Sequence, residues 1–528
     1  MAEEDLIFGK NRHMFGGIEP SNMLEFNVTR NLSNKIEITA TLPNETIVDG
    51  QLLCTVGGAV IRRKTSGYPV DEFDGDLVAK ITESGTIIDS TGNPNTQYFY
   101  AAFPFSTQGV YNRSYANRKA YKYANVTYYF GFDIDTTDSN PSTRVTYPSD
   151  VMNAKYTPAK MNPATDTFEY GSWPSTPGQT FMPRPCIVTI NQSTKKTHIS
   201  YYLNPNDYSK SINGTSIPNH GSQSDYDKYM VEWPKIYTHR ELVNGIYKFR
   251  CCDKPLDDDW DCICNYDADG NQIDNFYTAA YQGIYAYSGH NPTVTDRNRV
   301  PSVWINTIRD TYGHDWNPSV LADRLLIQDL LVMMAKTTNL GEAYHCLENT
   351  NSVGKNGIFD QKGMFYGNSD GTYVKVFGME HFWSNTHEQL LLGLIIDGKD
   401  NLKIKFTSST HDGTSATDYN LTGIGYSLIS HLSNTIGGPN STAYISNMLV
   451  CPYGRIPIEG NGSLSTYECT DFSYVTSDGA GYTRLAYCGK GRFPTPFSIK
   501  LLSKPDNPIW DGQITLSYKP KEGNHVVS

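Results

Sequence analysis

The stretch Asn34-Lys-Ile-Glu-Ile-Thr-Ala-Thr-Leu42 alternates apolar and polar side chains. Successive side chains of a β-strand point to opposite faces, so this alternation predicts a strand with one buried face. Similar runs follow at residues 58–63, 77–81 and 97–103, and Ser-Gly, Asp-Gly and Gly-Asn-Pro turns separate them. Short strands between such turns predict a β-sandwich over residues 34–123.

The segments that flank these strands lack a regular apolar pattern. Residues 1–33 contain Gly, Pro and Asn turns, and we expect an arm that packs on another protein. Residues 113–123 are interpreted as a linker. The basic run Arg62-Arg63-Lys64 is interpreted as a solvated strand edge, because exposed edges commonly carry charged side chains.

Two helices are predicted in the remaining residues, 124–528. The first covers residues 296–309, where apolar side chains recur on one face. For the second, Asn317 is the predicted N-cap and Pro318 the first helical residue, and apolar side chains follow at helical spacing as far as residue 339. Two helices among strands and turns predict a β-rich α+β fold with long loops.

The composition excludes several classes of protein. Of 528 residues, 37 are Tyr and only 19% are charged, which is typical of a folded chain rather than a disordered one. The net charge of -11 argues against a nucleic-acid partner, because phosphate neutralisation requires clustered Lys and Arg. An acidic N-terminus and the lack of a long apolar run predict a soluble chain without a signal peptide or membrane insertion.

The ten cysteines do not suggest a disulfide framework. Most are scattered singly, and only Cys251-Cys252 and Cys262-x-Cys264 are close in sequence. Zinc sites pair cysteines at wider separations, so buried free thiols are favoured over a metal site. Free thiols agree with assembly in a reducing cytosol.

Several segments, taken in order, resemble bacteriophage tail proteins with a C-type lectin fold, which are related to the major tropism determinant and to formylglycine-generating-enzyme-like domains. The resemblance rests on the following segments: Gly131-Phe-Asp-Ile-Asp135, Pro141-Ser-Thr-Arg-Val-Thr-Tyr147, Arg184-Pro-Cys-Ile187, Tyr201-Tyr-Leu-Asn-Pro-Asn-Asp-Tyr-Ser209, Met230-Val-Glu-Trp-Pro-Lys-Ile-Tyr237, Asp274-Asn-Phe-Tyr-Thr-Ala-Ala-Tyr-Gln-Gly283, Gly363-Met-Phe-Tyr-Gly367, Val376-Phe-Gly-Met-Glu-His-Phe-Trp383 and Ala443-Tyr-Ile-Ser-Asn-Met448. The resemblance implies a large C-type-lectin-like domain over residues 124–528.

The predicted sandwich has a resemblance of its own. Gly58-Ala-Val-Ile-Arg-Arg63 and Tyr98-Phe-Tyr-Ala-Ala-Phe-Pro104 resemble the immunoglobulin-like or fibronectin-type modules of phage tail and fibre proteins. Together the resemblances imply a virion protein with a docking arm (1–33), a module of this type (34–123) and a lectin-like head. They also imply other tail proteins as partners, a homo-oligomer with a trimer as the expected form, and assembly in the cytoplasm of the bacterial host.

Catalysis is not expected from this sequence. Formylglycine-generating enzymes use two reactive cysteines near the C-terminus, and no partner follows Cys488 here. Their Gly-Asn-Val-Trp-Glu-Trp signature corresponds to Ser384-Asn-Thr-His-Glu-Gln389, in which both tryptophans are lost, and we interpret Asn385 and Glu388 as structural hydrogen-bonding residues. We therefore expect no catalytic residues and no cofactor.

Two acidic segments also receive structural interpretations. Asp257-Asp258-Asp259 is interpreted as a solvated loop, since adjacent carboxylates do not define the spacing that glycoside hydrolysis requires. In Asp267-Ala-Asp-Gly-Asn271 the glycine stands too early for an EF-hand, and Asp-Gly between strand-like residues predicts a hairpin turn. No metal site is expected.

The resemblance implies that a host receptor, either a glycan or a protein, binds loops within residues 484–512. Tyrosine, arginine and small polar residues are frequent in such binding loops. Trp510 and Phe493 could instead pack in the hydrophobic core and not contact a ligand. The predicted ligand-binding residues are Tyr487, Lys490, Arg492, Phe493, Lys504, Asp506, Asn507 and Trp510.

The expected function is therefore host-surface recognition by non-covalent binding in a phage tail or tail fibre. One alternative is a purely structural component of the tail, baseplate or head fibre that touches no receptor. A second alternative is a tail enzyme that degrades cell wall or polysaccharide. A cleft with paired carboxylates would favour the enzyme, whereas an exposed aromatic surface within residues 484–512 would favour the receptor-binding protein.

Overall fold

The chain divides into two compact units. In the computed structural model, the first consists of Met1–Thr127, Ser149–Val151 and Lys254–Trp260, and the second of Tyr128–Pro148, Met152–Asp253 and Asp261–Ser528. The structure describes residues 18–31, 35–48, 51–94, 96–121, 126–218, 220, 226–256, 259–267, 269–283, 301–347, 355–383, 388–397, 403–406, 425–427, 447–451, 454–459, 484–488, 499–503, 512–513 and 515–526.

The first unit is built from antiparallel strands. One sheet has the order β1-β2-β7, a second has the order β6-β5-β8-β9, and β3 pairs with β4 alone. The strands are β1 (Glu25–Arg30), β2 (Ile36–Thr41), β3 (Thr46–Val48), β4 (Gln51–Cys54), β5 (Val56–Lys64), β6 (Asp76–Ile81), β7 (Gly85–Asp89), β8 (Tyr98–Ser106) and β9 (Arg118–Tyr121).

The two larger sheets of this unit share one hydrophobic core. Ile36 and Ile38 of β2 contribute from the first sheet, and Ile61 and Tyr100 contribute from the second. The alternation that predicted the β2 strand is confirmed, because every second side chain of β2 is buried. This common core is what holds the two layers together.

The first unit differs from the sequence expectation at both ends. Glu25–Arg30, which we expected in the arm, forms β1 and pairs along its length with β2. Arg118–Tyr121, which we expected in the linker, forms β9 and pairs with β8. Each of these two strands carries few large apolar side chains, so its alternating pattern is weak in the sequence. Both strands are defined mainly by their backbone pairing with a neighbouring strand.

The second unit contains the remaining elements. Its helices are α1 (Pro141–Arg144), α2 (Pro301–Tyr312), α3 (Leu321–Ala335) and α4 (Leu340–Ala343). Its strands are β10 (Tyr129–Asp135), β11 (Val145–Thr146), β12 (Lys160–Asn162), β13 (Thr167–Glu169), β14 (Arg184–Ile190), β15 (Thr197–Asn204), β16 (Asp207–Ser211), β17 (Asp227–Pro234), β18 (Tyr237–Val243), β19 (Ile246–Cys252), β20 (Asn275–Ala279), β21 (Trp316–Pro318), β22 (Tyr366–Gly367), β23 (Val374–Val376), β24 (Met379–Glu380), β25 (Glu388–Asp397), β26 (Lys403–Phe406), β27 (Gly425–Ser427), β28 (Asn447–Cys451), β29 (Gly454–Glu459), β30 (Arg484–Cys488), β31 (Ile499–Ser503), β32 (Gly512–Gln513), β33 (Leu516–Tyr518) and β34 (His525–Val526).

Three larger sheets organise this unit. The largest has the order β16-β15-β14-β17-β20-β33-β21, with β34 beside β15. A four-stranded sheet has the order β11-β10-β19-β18, and a third has the order β27-β26-β25-β30-β31, with β32 beside β25. β33 comes from near the end of the described chain and lies between β20 and β21. The C-terminal segment therefore joins β21 to the rest of the largest sheet.

Helix α3 lies at the centre of the second unit. All fifteen of its residues are buried, including the charged side chains of Asp323 and Asp329, which form ion pairs with residues outside the helix. The helix begins at Leu321 rather than at the predicted Pro318, and Val320 is the N-cap residue. Asn317 belongs instead to β21, where it pairs with Ser517, and its side chain accepts a hydrogen bond from Arg309. Strand pairing therefore overrides the local capping preference.

The described residues confirm the β-rich fold that the sequence predicts. Strands outnumber helices, and α2 and α3 are the helices longer than four residues in the described part of the chain. Among these described residues, no helix is long and apolar enough to cross a membrane.

Candidate ligand-binding site

The strands that frame the predicted binding region form one antiparallel sheet. β30 and β31 pair from Leu485 opposite Ser503 to Cys488 opposite Ile499. β30 also pairs with β25, so that Cys488 lies opposite Gln389. The predicted binding region is thus anchored on both sides of the β30–β31 connection by paired backbone.

The two ends of the region come together at one place in this sheet. Cys488 lies opposite Gln389, and Gly512 lies beside Glu388 through the parallel pairing of β32 with β25. Glu388 and Gln389, which are consecutive in β25, therefore pair with the residues on either side of the predicted binding segments.

The predicted binding residues have different outcomes. Tyr487 lies within β30, opposite Leu390 on one side and Lys500 on the other, so it belongs to a strand and not to a loop. Of the two residues interpreted as structural, Glu388 begins β25 and Asn385 lies outside the described residues. Also outside the described residues are Lys490, Arg492, Phe493, Lys504, Asp506, Asn507 and Trp510.

The cysteine cluster consists of buried thiols, as predicted. Cys251, Cys252, Cys262 and Cys264 are all buried. Burial raises the pKa of the Cys251 and Cys264 thiols far above the ordinary value and raises the pKa of Cys262 to about 11. A raised pKa favours the protonated thiol at neutral pH. Within the described ranges, no three His, Cys, Asp or Glu side chains are grouped to hold a metal ion.

The predicted hairpin at residues 267–271 is confirmed. The Asp267 amide donates to the Asn271 carbonyl oxygen at 2.9 Å, and Gly270 adopts a φ of 83° at the turn. The Asp267 carboxylate accepts hydrogen bonds from the amides of Asp269 and Asn271 at 2.9 and 2.8 Å. The carboxylate therefore stabilises the turn itself. Asp257 and Asp258 lie outside the described residues.

A buried charge cluster connects α3 to two strands of the second unit. Asp329 of α3 accepts from Arg240 of β18 at 2.8 Å and from Arg455 of β29 at 3.3 Å, and all three side chains are at most 2% exposed. The Tyr247 hydroxyl donates to the same carboxylate at 3.1 Å. Paired buried charges of this kind fix the geometry of the elements that carry them.

A second buried network holds the turn at residues 357–360. The Glu380 carboxylate accepts from the amides of Gly357 and Phe359 at 2.7 and 2.8 Å, and the Lys375 ammonium donates to the Phe359 carbonyl oxygen at 2.8 Å. Burial raises the pKa of Glu380 and lowers the pKa of Lys375. His220 and Tyr281 both contact the Asp360 carboxylate. Glu380 and Lys375 thus hold the backbone of this turn, and His220 and Tyr281 bond the Asp360 side chain.

One small cleft opens beside the first turn of α3. Thr278, Gln282 and Asp323 are among its lining residues, and its volume is about 30 Å³. This volume holds only about two water molecules. Asp323 accepts from Lys519 at 2.8 Å and from the Ser517 hydroxyl at 3.1 Å, so its carboxylate is already bonded. The cleft is too small for a saccharide or peptide substrate.

Comparison with known proteins adds no relative. The chain matches no protein-family model, and no curated protein or solved structure is significantly similar to it. Inference about function therefore depends on the residues and geometry of this chain.

Proposed function

We propose that this chain is a bacteriophage tail or tail-fibre protein that recognises the host surface by non-covalent binding. In this proposal the second unit has a C-type-lectin-like fold, and residues 484–512 carry the receptor contacts. The first unit is an immunoglobulin-like or fibronectin-type module, preceded by an arm that docks on the virion. Other tail proteins and a host glycan or protein are the partners, and a trimer is the expected assembly.

The observation that carries the proposal is the convergence of the region's ends on β25. Cys488 lies opposite Gln389 and Gly512 lies beside Glu388, so both flanks of the binding segments are fixed to neighbouring residues. Residues at such a junction are held by a rigid base, which is the arrangement that binding loops on stable scaffolds use. The buried cluster around Asp329 supports the same interpretation, because it ties α3 to β18 and β29 within the same unit.

The composition of the segment supports binding to a receptor surface. Between these flanks the sequence supplies Arg492, Phe493 and Trp510, together with three lysines and an asparagine. Arginine and large aromatic side chains are the residue types that most often dominate binding energy at interfaces. A carboxylate–base or metal arrangement would instead favour the enzyme alternative.

The test is binding of the purified full-length chain to susceptible bacterial cells. We expect Arg492→Ala and Trp510→Ala each to weaken binding by about 2 kcal/mol, or roughly thirtyfold, if these side chains anchor the receptor. Lys160→Ala is the matched control, because it removes an exposed cation of the same unit whose side chain is 63% exposed. Circular dichroism and thermal unfolding must first show that each variant folds as the parent does.

Three outcomes would reject the proposal. If folded variants at Tyr487, Arg492, Phe493 and Trp510 all bind cells as the parent does, the receptor site lies elsewhere. If the parent binds no cells and the region is buried inside the assembled particle, the chain is a structural component. If sugar or peptide fragments are released from the cell wall during binding, the chain is an enzyme.

A further inference from the structure

The outer face of the second sheet in the first unit carries an unusual group of side chains. Tyr98 and Tyr100 of β8 point into the core, so the alternate residues Phe99 and Ala101 point to the opposite face. Arg118 of β9 pairs directly with Ala101, and cross-strand partners share a face of the sheet. Arg118 is therefore a partly exposed residue on the face opposite the shared core, beside a smaller buried cluster of Val60, Ala101 and Phe103.

Aromatic rings line the Arg118 side chain on this face. Its guanidinium carbon is 3.9 Å from the ring centre of Tyr115 and 6.0 Å from that of Tyr68. The Tyr68 ring in turn contacts Phe99 edge-on, with 5.1 Å between ring centres. Stacking of this kind orders a guanidinium while leaving its positive charge in place.

Tyr115 is exposed by a short, capped turn. It begins the 3-10 turn Tyr115–Asn117, and the Ser114 hydroxyl accepts from the Ala116 amide at 3.2 Å. The Tyr115 side chain is 79% exposed although it is held between the turn and Arg118. An ordered, exposed ring loses little conformational entropy when a ligand stacks on it.

Two other cations of this unit have carboxylate partners. Arg113 makes two hydrogen bonds to the Glu72 carboxylate, at 2.8 and 2.6 Å, and Lys64 pairs with Asp74 at 3.0 Å. Arg118 forms no ion pair with any residue that the structure describes, and its Nε is buried without a hydrogen-bond partner there. This arginine is thus a cation without a direct ion-pair partner among the described residues.

Two exposed apolar side chains lie in a turn that is linked to the segment carrying Tyr115. Phe73 is 77% exposed and Val70 is 57% exposed, and both belong to the turn between β5 and β6. The ion pair of Glu72 with Arg113 ties this turn to the segment that carries Tyr115. Exposed aromatic side chains beside an arginine are typical of binding surfaces.

We propose that this outer face is a binding site for a carboxylated saccharide. The carboxylate of the sugar binds the Arg118 guanidinium, and the apolar face of the sugar ring stacks on Tyr115. This cation selects an anion, and the isolated rings around it suit a flat, partly apolar ring better than the continuous apolar surface of a protein partner. The site is separate from residues 484–512 and does not depend on the function proposed for them.

The test measures binding of the full-length chain to immobilised oligogalacturonate, oligomannuronate and sialyllactose. Each probe is paired with an uncharged counterpart, namely the carboxyl-reduced oligomers and lactose. We expect binding to at least one acidic probe and at least tenfold weaker binding to its uncharged counterpart, with the difference decreasing as salt is raised. Failure of every acidic probe to bind, or equal binding of the uncharged counterpart, overturns the proposal.

Substitutions assign the binding to this face. Arg118→Gln and Tyr115→Ala should each weaken it at least tenfold, whereas Tyr115→Phe should retain it because the ring remains. Lys80→Gln is the matched control. Lys80 belongs to β6, at the opposite edge of the same sheet, and its ammonium lies 4.9 Å from the centre of the Phe105 ring. Equal loss in Lys80→Gln and Arg118→Gln would overturn the site.

Two further variants keep the result interpretable. If Arg118→Gln unfolds, Arg118→Lys keeps the charge but loses the planar fork, and it should bind more weakly than the parent. Unchanged binding by folded Arg118→Lys and Tyr115→Ala would reject the site. Trp510→Ala should leave saccharide binding unchanged, so this site and the proposed receptor site can fail separately.

Discussion

His381 is a buried imidazole in a backbone conformation that few side chains adopt. It has a φ of 57°, and its Nε2 lies 3.2 Å from the Lys355 carbonyl oxygen. Burial lowers the pKa of His381 to about 4, from an ordinary value of 6.5. Between pH 6.5 and 4 the unfolded chain therefore takes up a proton that the folded chain does not. The stability that this histidine contributes is complete above pH 6.5 and is lost as the pH falls towards 4.

The corresponding prediction is a change in the pH dependence of unfolding. His381→Asn keeps a side chain that tolerates positive φ and removes the titrating group. Between pH 6.5 and 4 the parent should lose up to about 3 kcal/mol more unfolding free energy than the variant, measured by urea denaturation. His345→Asn is the control, because His345 also has a positive φ, of 53°, but is only partly buried. Equal pH dependence in the parent and His381→Asn would contradict the buried neutral imidazole.

Asp329 gives a second prediction at the scale of one residue. Asp329→Asn leaves the guanidinium groups of Arg240 and Arg455 buried without their carboxylate, so the free energy of unfolding should fall by about 3–5 kcal/mol. Asp166→Asn breaks the exposed Lys362–Asp166 pair and should have a far smaller effect. Chemical denaturation of both variants provides the comparison. A similar loss in the two would show that burial of the Asp329 cluster does not determine its contribution.

Single residues show why side-chain roles were harder to predict than backbone. Arg63 was interpreted as part of a solvated edge, yet β5 is a central strand, Arg63 is 6% exposed and its guanidinium bonds Asp89 at 2.5 Å. The partner is far away in sequence and is brought close only by sheet pairing. The Asp267 hairpin was predictable because its partners lie within the same turn. Arg118 and Tyr115 were missed for the same reason as Arg63, since the stacking around Arg118 also involves Tyr68 from another segment.

Among the elements, α3 makes the clearest prediction about packing. Leu330 is completely buried in its centre. Leu330→Ala should lower the free energy of unfolding by about 3 kcal/mol, because it removes buried apolar contacts and leaves a cavity. Leu242→Ala on β18 is the matched control: this leucine is 48% exposed, and its loss should change stability by less than about 0.5 kcal/mol. Denaturant titration that gives the same small change for both would place α3 outside the stable core.

Whether an element boundary could be predicted depended on what defines it, either the periodicity of its own sequence or pairing with a distant strand. The β2 strand was predictable because its own sequence alternates strictly. The start of α3 was not, since Asn317 and Pro318 have good capping chemistry but are held in β21 by pairing with β33. That partner strand lies near the other end of the chain. Local signals thus identified β2 and the existence of α3, whereas long-range pairing determined where α3 begins and defined the unpredicted strands β1 and β9.

At the scale of the molecule, sequence reasoning predicted the β-rich fold class. The β-rich architecture followed from composition and alternation, which act over short segments. The convergence of Cys488 and Gly512 on β25 could not be predicted, because it needs both an antiparallel and a parallel pairing to the same strand. Resemblance supplied the candidate segment, and sheet topology supplied the reason that its ends lie together.

The two compact units predict two separable unfolding events. Each unit has its own buried charge: Asp89 bonds Arg63 in the first, and Asp329 bonds Arg240 in the second. Asp89→Asn should therefore lower the stability of the first unit alone, and Asp329→Asn that of the second alone. In calorimetry we expect two transitions, with each variant lowering the midpoint of only one. Hydrogen exchange should assign them, because each substitution should increase exchange only at amides of its own unit. A single transition that both substitutions lower equally would mean that the units unfold as one cooperative structure.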